Sequence, residues 1–213
     1  MNFKYYKTST LIPFILVMGV IYGVLSGLIQ ESLKENAILN QINDYIGIFS
    51  TIGLITLTLV FINQIGWKWN IFKWLIDIPN LNGRYKGELI SSFSTVDGNH
   101  VIKDCVLEIK QSASSIHIFS YFGDKGINNQ SSRAYSVSEE IIQETNGLFQ
   151  IFYIFTNEPD TLHTQLNNHL GTTKLKYYPD NKTLDGDYYN QIKNIGTIKV
   201  TFEQKQLLGR LLR

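Results

Sequence analysis

The sequence has only one cysteine and no excess of charge of either sign. A single cysteine, Cys105, cannot form an intrachain disulfide, which excludes the disulfide-stabilised scaffolds of small secreted domains. It lies in a hydrophobic stretch and is predicted to be a core residue rather than a reactive thiol. The formal net charge is +1, so duplex nucleic acid, which needs a surplus of Lys and Arg, is not expected as a partner. The sequence also lacks a Pro-rich linker, internal repeats and low-complexity tracts.

Signatures of catalysis are absent as well. The sequence contains no P-loop, no G-x-G-x-x-G and no G-x-S-x-G motif. The four histidines are scattered without metal-ligand spacing: His100, His117, His163 and His169. Asp185 and Asp187 share one strand face and could act as an acid–base pair in a membrane-bound enzyme, but a solvated strand face is favoured. We therefore expect no catalytic residue, no metal and no cofactor.

Charged residues are missing from two long segments near the N-terminus. Residues 8–30 and 45–67 each form a run of 23 residues without Asp, Glu, Lys or Arg. About 20 apolar residues are enough for a helix to cross the hydrocarbon core of a bilayer. The sequence thus predicts two transmembrane helices, with a cleaved signal peptide as the alternative for the first.

Basic residues flank the two spans on their outer sides. Lys4 and Lys7 precede the first span, and Lys68 and Lys73 follow the second, whereas the connection between them carries more acidic than basic residues. The positive-inside rule then predicts a two-pass protein with both ends in the cytoplasm. Three tryptophans cluster where the second span ends, so residues 67–78 are predicted to form an interfacial helix.

Three glycines, Gly19, Gly23 and Gly27, recur four residues apart in the first span. This spacing keeps them on one helix face, where small side chains let two helix backbones approach closely. The face is predicted to be a site of helix association in the membrane. The spacing does not decide whether its partner is the second span or another chain.

After Pro79 the hydrophobic pattern changes to period two. No amphipathic helix alternates with these segments, which excludes a doubly wound α/β sheet, and eight antiparallel strands predict an up-and-down, lipocalin-like barrel or a sandwich. A barrel of about eight strands can hold one small ligand. The predicted strands are GRYKGELISS, KDCVLEIKQ, SIHIFSYF, SRAYSVSEEII, LFQIFYIFT, TTKLKYY, TLDGDYYN and GTIKVTF, with a long connection, EPDTLHTQLNNHLG, that could hold a short helix.

Alternation within the strands predicts which residues face inward. One run places Cys105, Leu107 and Ile109 on an apolar face, with Glu108 pointing to water. The strings LNGRYKG and LDGDYYN repeat the pattern L-x-G-x-Y, and we attribute their glycines to barrel curvature.

Aromatic and basic residues in the strands indicate a binding function. Tyrosines at a barrel mouth could stack on bases, and a neighbouring Arg84, Arg133, Lys174 or Lys176 could pair with phosphate. Arg133 stands alone as the one arginine between Arg84 and Arg210. The predicted ligand-binding residues are Tyr85, Arg133, Tyr135, Tyr153 and Tyr188.

Two N-terminal spans, a Trp- and Lys-rich exit and a barrel that opens with LNGRYKG at 81–87 resemble the two-transmembrane β-barrel effectors of bacterial CBASS antiphage defence. The resemblance covers the whole chain. It implies a protein of the bacterial inner membrane that binds a cyclic dinucleotide made by a cGAS-like nucleotidyltransferase. On this reading the protein oligomerises and disrupts the membrane, and the infected cell dies.

The predicted organisation has three parts. Residues 1–78 form a membrane hairpin, 79–205 a cytosolic β-barrel, and 206–213 a basic tail that either docks on anionic lipid or forms a solvated helix. An alternative function is a membrane-tethered barrel that carries a lipid or another apolar molecule, for which a wholly apolar cavity is expected.

Overall fold

The protein is described here from a computed structural model. The structure describes residues 2–33, 43–94, 98–127, 129–159 and 168–211. The chain divides into two compact units, one formed by Met1–Ile78 with Ser112–Ser115 and the other by Pro79–Gln111 with Ile116–Arg213.

The first unit contains two apolar helices, α1 (Thr8–Leu33) and α2 (Asn43–Gln64). Side-chain hydrogen bonds join the described parts of the two helices: the Tyr22 hydroxyl pairs with Thr58 Oγ1 at 2.6 Å, and Ser26 Oγ pairs with Ser50 Oγ at 2.6 Å. Such bonds hold apolar helices together where the hydrophobic effect between them is weak.

Among the described residues of this unit, one helix is long and apolar enough to cross a membrane, judged by length and composition. It covers Thr8–Ser32, and its most apolar window has a mean hydropathy of 2.3 with 6% of residues buried. The apolar segment found in α2, Ser50–Gln64, is shorter. The structure therefore supports one spanning helix, whereas the two-pass hairpin predicted from the sequence stays a prediction.

The segment after α2 differs from the expected interfacial helix. Two short 3₁₀ helices, Gly66–Lys68 and Asn70–Phe72, replace a continuous helix over 67–78. The chain then turns back, so that Ile76 forms a β-bridge with Tyr6. Trp67 is buried while Trp69 and Trp74 are about half exposed. Packing against the N-terminal residues has overridden the local helical preference.

The second unit is a closed antiparallel barrel, in which each strand pairs with the next and β8 pairs with β1. The barrel predicted from the sequence is confirmed, and the sandwich is excluded. The strands are β1 (Gly83–Ser94), β2 (His100–Gln111), β3 (Ile116–Asp124), β4 (Gln130–Gln143), β5 (Phe149–Pro159), β6 (His169–Tyr178), β7 (Thr183–Asn190) and β8 (Ile195–Gln204).

The long connection between β5 and β6 is shorter than expected. β5 continues to Pro159 and β6 begins at His169. Both ends of the predicted connection are therefore strand, and its middle, with His163 and the short helix considered for it, lies outside the described residues.

The inward face of the barrel follows the predicted alternation. Cys105, Leu107 and Ile109 are at most 1% exposed. A Cβ atom at Gly87 would overlap the carbonyl oxygen of Lys199 on β8, and one at Gly186 would overlap that of Lys174 on β6. These two glycines allow close approach of neighbouring strands, as the curvature interpretation predicted.

The C-terminal residues cross the outer wall of the barrel instead of forming a helix. We call residues 205–211 the C-terminal strap. Its Leu208 and Gly209 amides donate to the Glu108 carboxylate at 2.7 and 3.0 Å. Leu211 is 2% exposed and packs against Val106 and Tyr121 on the outer face of β2 and β3. The expected solvated helix is wrong for these residues.

Beneath the C-terminal strap lies a buried ion pair. Arg84 Nη1 donates to Glu108 Oε1 at 2.8 Å, and both side chains are 2% exposed. Arg84 also donates to Glu203 Oε2 at 2.7 Å and to the carbonyl oxygens of Arg210 and Leu211. Glu108 thus faces outward as predicted, but it meets the strap rather than water.

Candidate functional site

A cavity of about 540 Å³ opens at one end of the barrel. It lies where β1, β3, β5 and β7 end and where the alternate strands begin, so eight strands contribute to its wall. Inward-pointing positions near these strand ends supply most of its lining, which consists of Leu89, Ser91, Phe93, Val101, Lys103, Ser120, Phe122, Ser132, Ala134, Tyr153, Phe155, Asn157, His169, Thr173, Tyr188, Asn190, Ile192, Asn194 and Ile198.

Aromatic side chains form a large part of the cavity wall. Phe93, Phe122, Phe155, Tyr153 and Tyr188 line it from four different strands. Burial raises the pKa of both tyrosines above the ordinary value near 10, so their hydroxyls stay protonated at neutral pH. The wall therefore offers flat apolar faces together with neutral hydroxyl groups, a combination that suits the stacking of planar rings.

Among the described residues that line the cavity, one lysine contributes positive charge. Lys103 points inward from β2, and its Nζ lies 2.9 Å from Asp124 Oδ1 and 3.3 Å from Ser131 Oγ. The Lys103 side chain is 26% exposed and that of Asp124 is 48% exposed. Because the partner carboxylate is about half exposed, an anion entering the cavity can compete for the ammonium group at modest cost. The wholly apolar cavity expected for a carrier of apolar molecules would not contain this ammonium group.

Amide and imidazole groups complete the polar side of the cavity rim. Asn190 Nδ2 lies 3.3 Å from His169 Nε2, which connects β7 to the start of β6. Asn190 Oδ1 also accepts from the Asn194 amide at 3.0 Å. Asn157 on β5 is 6% exposed and lines the same cavity. Donors and acceptors of this kind can read the edges of a bound ring system.

Three of the predicted binding residues lie inside the barrel. Tyr153 and Tyr188 line the cavity. Tyr85 also points inward and is 1% exposed, but it lies deeper in the core, with its ring 5.5 Å from that of Phe202. Tyr85 therefore supports the core below the cavity and does not line it.

Arg133 and Tyr135 lie on the outer face of β4, away from the cavity. The Arg133 side chain is 65% exposed and forms an ion pair with Glu158 at 2.8 Å, and Tyr135 is 39% exposed. Ala134, between them, is the residue that lines the cavity. The structure does not bring Arg133 and Tyr135 together with Tyr153 and Tyr188, because strand alternation puts neighbouring residues on opposite faces.

The other basic residues considered for phosphate pairing also lie outside the cavity. Arg84 is held by Glu108 under the C-terminal strap. Lys174 lies over the ring of Phe152, and Lys176 pairs with Glu144 at 3.1 Å. Asp185 pairs with Lys199 at 3.4 Å across the outer sheet surface, as a solvated strand face predicts.

Lys103 is the residue that the sequence analysis missed. It precedes Cys105 by two positions, so it belongs to the inward face that was correctly assigned to Cys105, Leu107 and Ile109. Extending that face by one step toward the start of β2 would have identified a charged residue at the barrel end. The signal was present, but a lysine at a strand start ordinarily points to water.

Comparison with known proteins agrees with this geometry. A family model described as the cyclic dinucleotide receptor domain of Cap15 matches residues 76–202. CD-NTase-associated protein 15 of Yersinia aleksiciae is 23% identical over 124 residues, which are 58% of this chain and 54% of that protein. The aligned region thus spans about half the length of this curated relative.

The matched segment begins at Ile76 and ends at Phe202 in β8, so it includes nearly the whole barrel and its cavity. The match covers more than half of the chain. The resemblance to the β-barrel effectors of CBASS defence is therefore confirmed at the level of the family, and the chain belongs to the Cap15 cyclic dinucleotide receptor family.

Proposed function

We propose that this protein is a membrane-anchored CBASS effector that binds a cyclic dinucleotide in the barrel cavity. The observation that carries the proposal is the described lining of that cavity, in which aromatic side chains from four strands occur together with the ammonium group of Lys103. A cyclic dinucleotide needs both elements. Its two bases stack on aromatic rings, and its phosphates pair with a cation.

Calorimetric titration of the full chain in detergent tests the binding. The ligands are cyclic di-GMP, cyclic di-AMP and cyclic GMP–AMP, each titrated into wild type, Lys103→Met and Lys86→Met. At least one ligand binds wild type, and Lys103→Met weakens that binding about tenfold or more, in line with a hydrogen bond to a charged group. Lys86 is exposed on the outer face of the same sheet and serves as the matched control.

Failure of all three ligands to bind wild type would remove the ligand half of the proposal. Equal affinities for wild type and Lys103→Met would leave the barrel as a receptor but remove Lys103 from the site. A lipid that co-purifies with the barrel, detected by native mass spectrometry, would instead favour the lipid carrier.

The membrane half of the proposal concerns two apolar helices that cross the inner membrane and disrupt it after the protein oligomerises. In α1, a Cβ atom at Gly19 would meet Ile55 at 3.9 Å, whereas one at Gly23 or Gly27 would have no neighbour within 4 Å. Among the described residues, α2 therefore makes little contact with the glycine face. This supports a role for that face in helix packing between chains.

Membrane depolarisation in cells that co-express the cognate nucleotidyltransferase tests this role. Gly23→Leu blocks close approach of two helices and should abolish depolarisation while membrane insertion and ligand binding persist. Val17→Leu is the control, because Val17 is 56% exposed on a different face of the same helix. Undiminished depolarisation with Gly23→Leu would show that this face does not act in the assembly.

A further inference from the structure

A second pocket, of about 480 Å³, shares Ser91 and Tyr188 with the lining of the cavity and extends to the outer wall of the barrel. We call its outward-facing part the outer groove and define it by Ile90, Asp187, Tyr189 and Ile195, on β1, β7 and β8. Tyr189 and Ile195 face each other across the strands and are 61% and 60% exposed. Exposed apolar surface of this kind marks an interaction site.

A second apolar surface projects from β3 and β4. We call it the aromatic ridge and define it by Phe119, Arg133, Tyr135 and Val137. Phe119 and Tyr135 are direct cross-strand partners, and each is 39% exposed. Val137 is 55% exposed. The ridge contains both predicted binding residues that the fold turned away from the cavity, Arg133 and Tyr135.

The two surfaces lie on opposite walls of the barrel. The outer groove is centred on β8 and the aromatic ridge on β4, and three strands lie between these two in either direction around the eight-stranded ring. A molecule with complementary surfaces on opposite sides can bind a copy of itself on each side. Such heterologous contacts build an open row rather than a closed dimer.

Charge favours the pairing of groove with ridge. Asp187 in the outer groove has no ion pair within 4.0 Å among the residues that the structure describes, since the pairs of this sheet face involve other carboxylates. Arg133 on the aromatic ridge is bonded to Glu158 but remains 65% exposed, so its other guanidinium donors are accessible. An aromatic ridge with an accessible arginine thus complements a groove with an unpaired carboxylate.

We propose that barrels of this protein associate head to tail, with the aromatic ridge of one copy seated in the outer groove of the next. The inference deepens the proposed function, on which it rests for the oligomer, by naming the surfaces that form it. Arg133 and Tyr135 then act in assembly rather than in ligand binding.

Site-specific crosslinking in membranes tests the pairing directly. The one native cysteine, Cys105, is fully buried, so introduced cysteines report without background. Full-length Asp187→Cys and Arg133→Cys chains with different tags are expressed together and treated with a short bismaleimide. The experiment is run with and without cyclic di-GMP, cyclic di-AMP and cyclic GMP–AMP. Mixed 187–133 dimers should exceed 187–187 and 133–133 dimers at least fivefold.

The control pair is Asp187→Cys with Tyr178→Cys, since Tyr178 is exposed on the outer wall outside both surfaces. This pair should crosslink no more than random collision allows. Dominant 187–187 crosslinks would overturn the proposal in favour of a two-fold dimer. Absence of any 187–133 enrichment, or its equality with the control, would overturn it as well.

Two glutamate variants provide a readout that does not depend on crosslinking. In detergent, sedimentation of full-length Tyr189→Glu or Tyr135→Glu alone should show loss of association, whereas a mixture of the two should form dimers, because each retains one intact surface. Self-association of Tyr135→Glu alone at wild-type strength would overturn the proposal. If the assembly forms as predicted and no cyclic dinucleotide binds, the head-to-tail inference stands while the ligand proposal fails.

Discussion

Arg84 illustrates how the same residue type takes a different role when a neighbouring segment covers it. From the sequence, Arg84 is one of four basic residues that could pair with phosphate beside tyrosines at a barrel mouth. The structure gives it four acceptors instead: Glu108, Glu203 and the carbonyl oxygens of Arg210 and Leu211. The planar guanidinium of Arg84 donates to all four acceptors at once, whereas the single ammonium group of a lysine could not reach all of them.

Removal of Arg84 should strongly destabilise the barrel. Arg84→Ala leaves the Glu108 carboxylate at 2% exposure without its counter-charge, and breaking a buried ion pair from one side costs about 3–5 kcal/mol. Chemical denaturation of the full chain in detergent measures the loss. Lys86→Ala, two residues along the same outer face, is the control and should change stability by no more than about 0.5 kcal/mol. A loss below about 1 kcal/mol for Arg84→Ala would contradict the structural role.

At the scale of elements, the sequence predicted the strands well and the segments around them poorly. Alternation in β2 assigned the inward face correctly because one face of a barrel strand is buried along its length. No such rule covers residues 67–78 or the C-terminal strap. Their conformations depend on contacts with Tyr6 and with Glu108, which lie far away in sequence.

The C-terminal strap should contribute to stability through one anchor. Leu211 is 2% exposed against Val106 and Tyr121, so Leu211→Ala should cost about 2–3 kcal/mol in unfolding free energy. Leu207→Ala in the same strap is the matched control, because Leu207 is 37% exposed. Denaturation of both variants measures the difference. Equal stabilities would mean that the strap does not hold to the wall in solution.

For the whole molecule, the sequence predicted the barrel and its family but not the location of the site within the barrel. Two of the five proposed binding residues, Tyr153 and Tyr188, line the cavity. Residue type alone does not specify at which end of a barrel a cavity opens, so the sequence did not separate the other three residues from these two. The location of the cavity depends on the side chains that all eight strands together place at one end of the barrel. Arg133 and Tyr135 were chosen for their chemistry, and one position along β4 separates them from the inward face.

The two-pass arrangement can be tested on the intact protein. Cys105 is buried, so Asn40→Cys, between the two helices in sequence, and Tyr178→Cys, at an exposed position of the barrel, each add one thiol to a chain whose own thiol is shielded. A membrane-impermeant maleimide should label position 40 in spheroplasts without detergent and position 178 only after permeabilisation. Labelling of both positions at equal rates in intact spheroplasts would contradict the cytoplasmic placement of the barrel.

Closure of the barrel affects how neighbouring copies of the protein can interact. A sheet that ends in free strands offers a row of unpaired amides and carbonyls, and neighbouring copies can join it by edge-to-edge aggregation. Here β8 returns to β1, so that none of the eight described strands is an edge strand of the sheet. Neighbouring copies of the barrel are therefore not offered a described strand edge at which to join by β-sheet pairing. Any controlled clustering must instead use side chains, whose contacts are reversible and can be tuned one residue at a time.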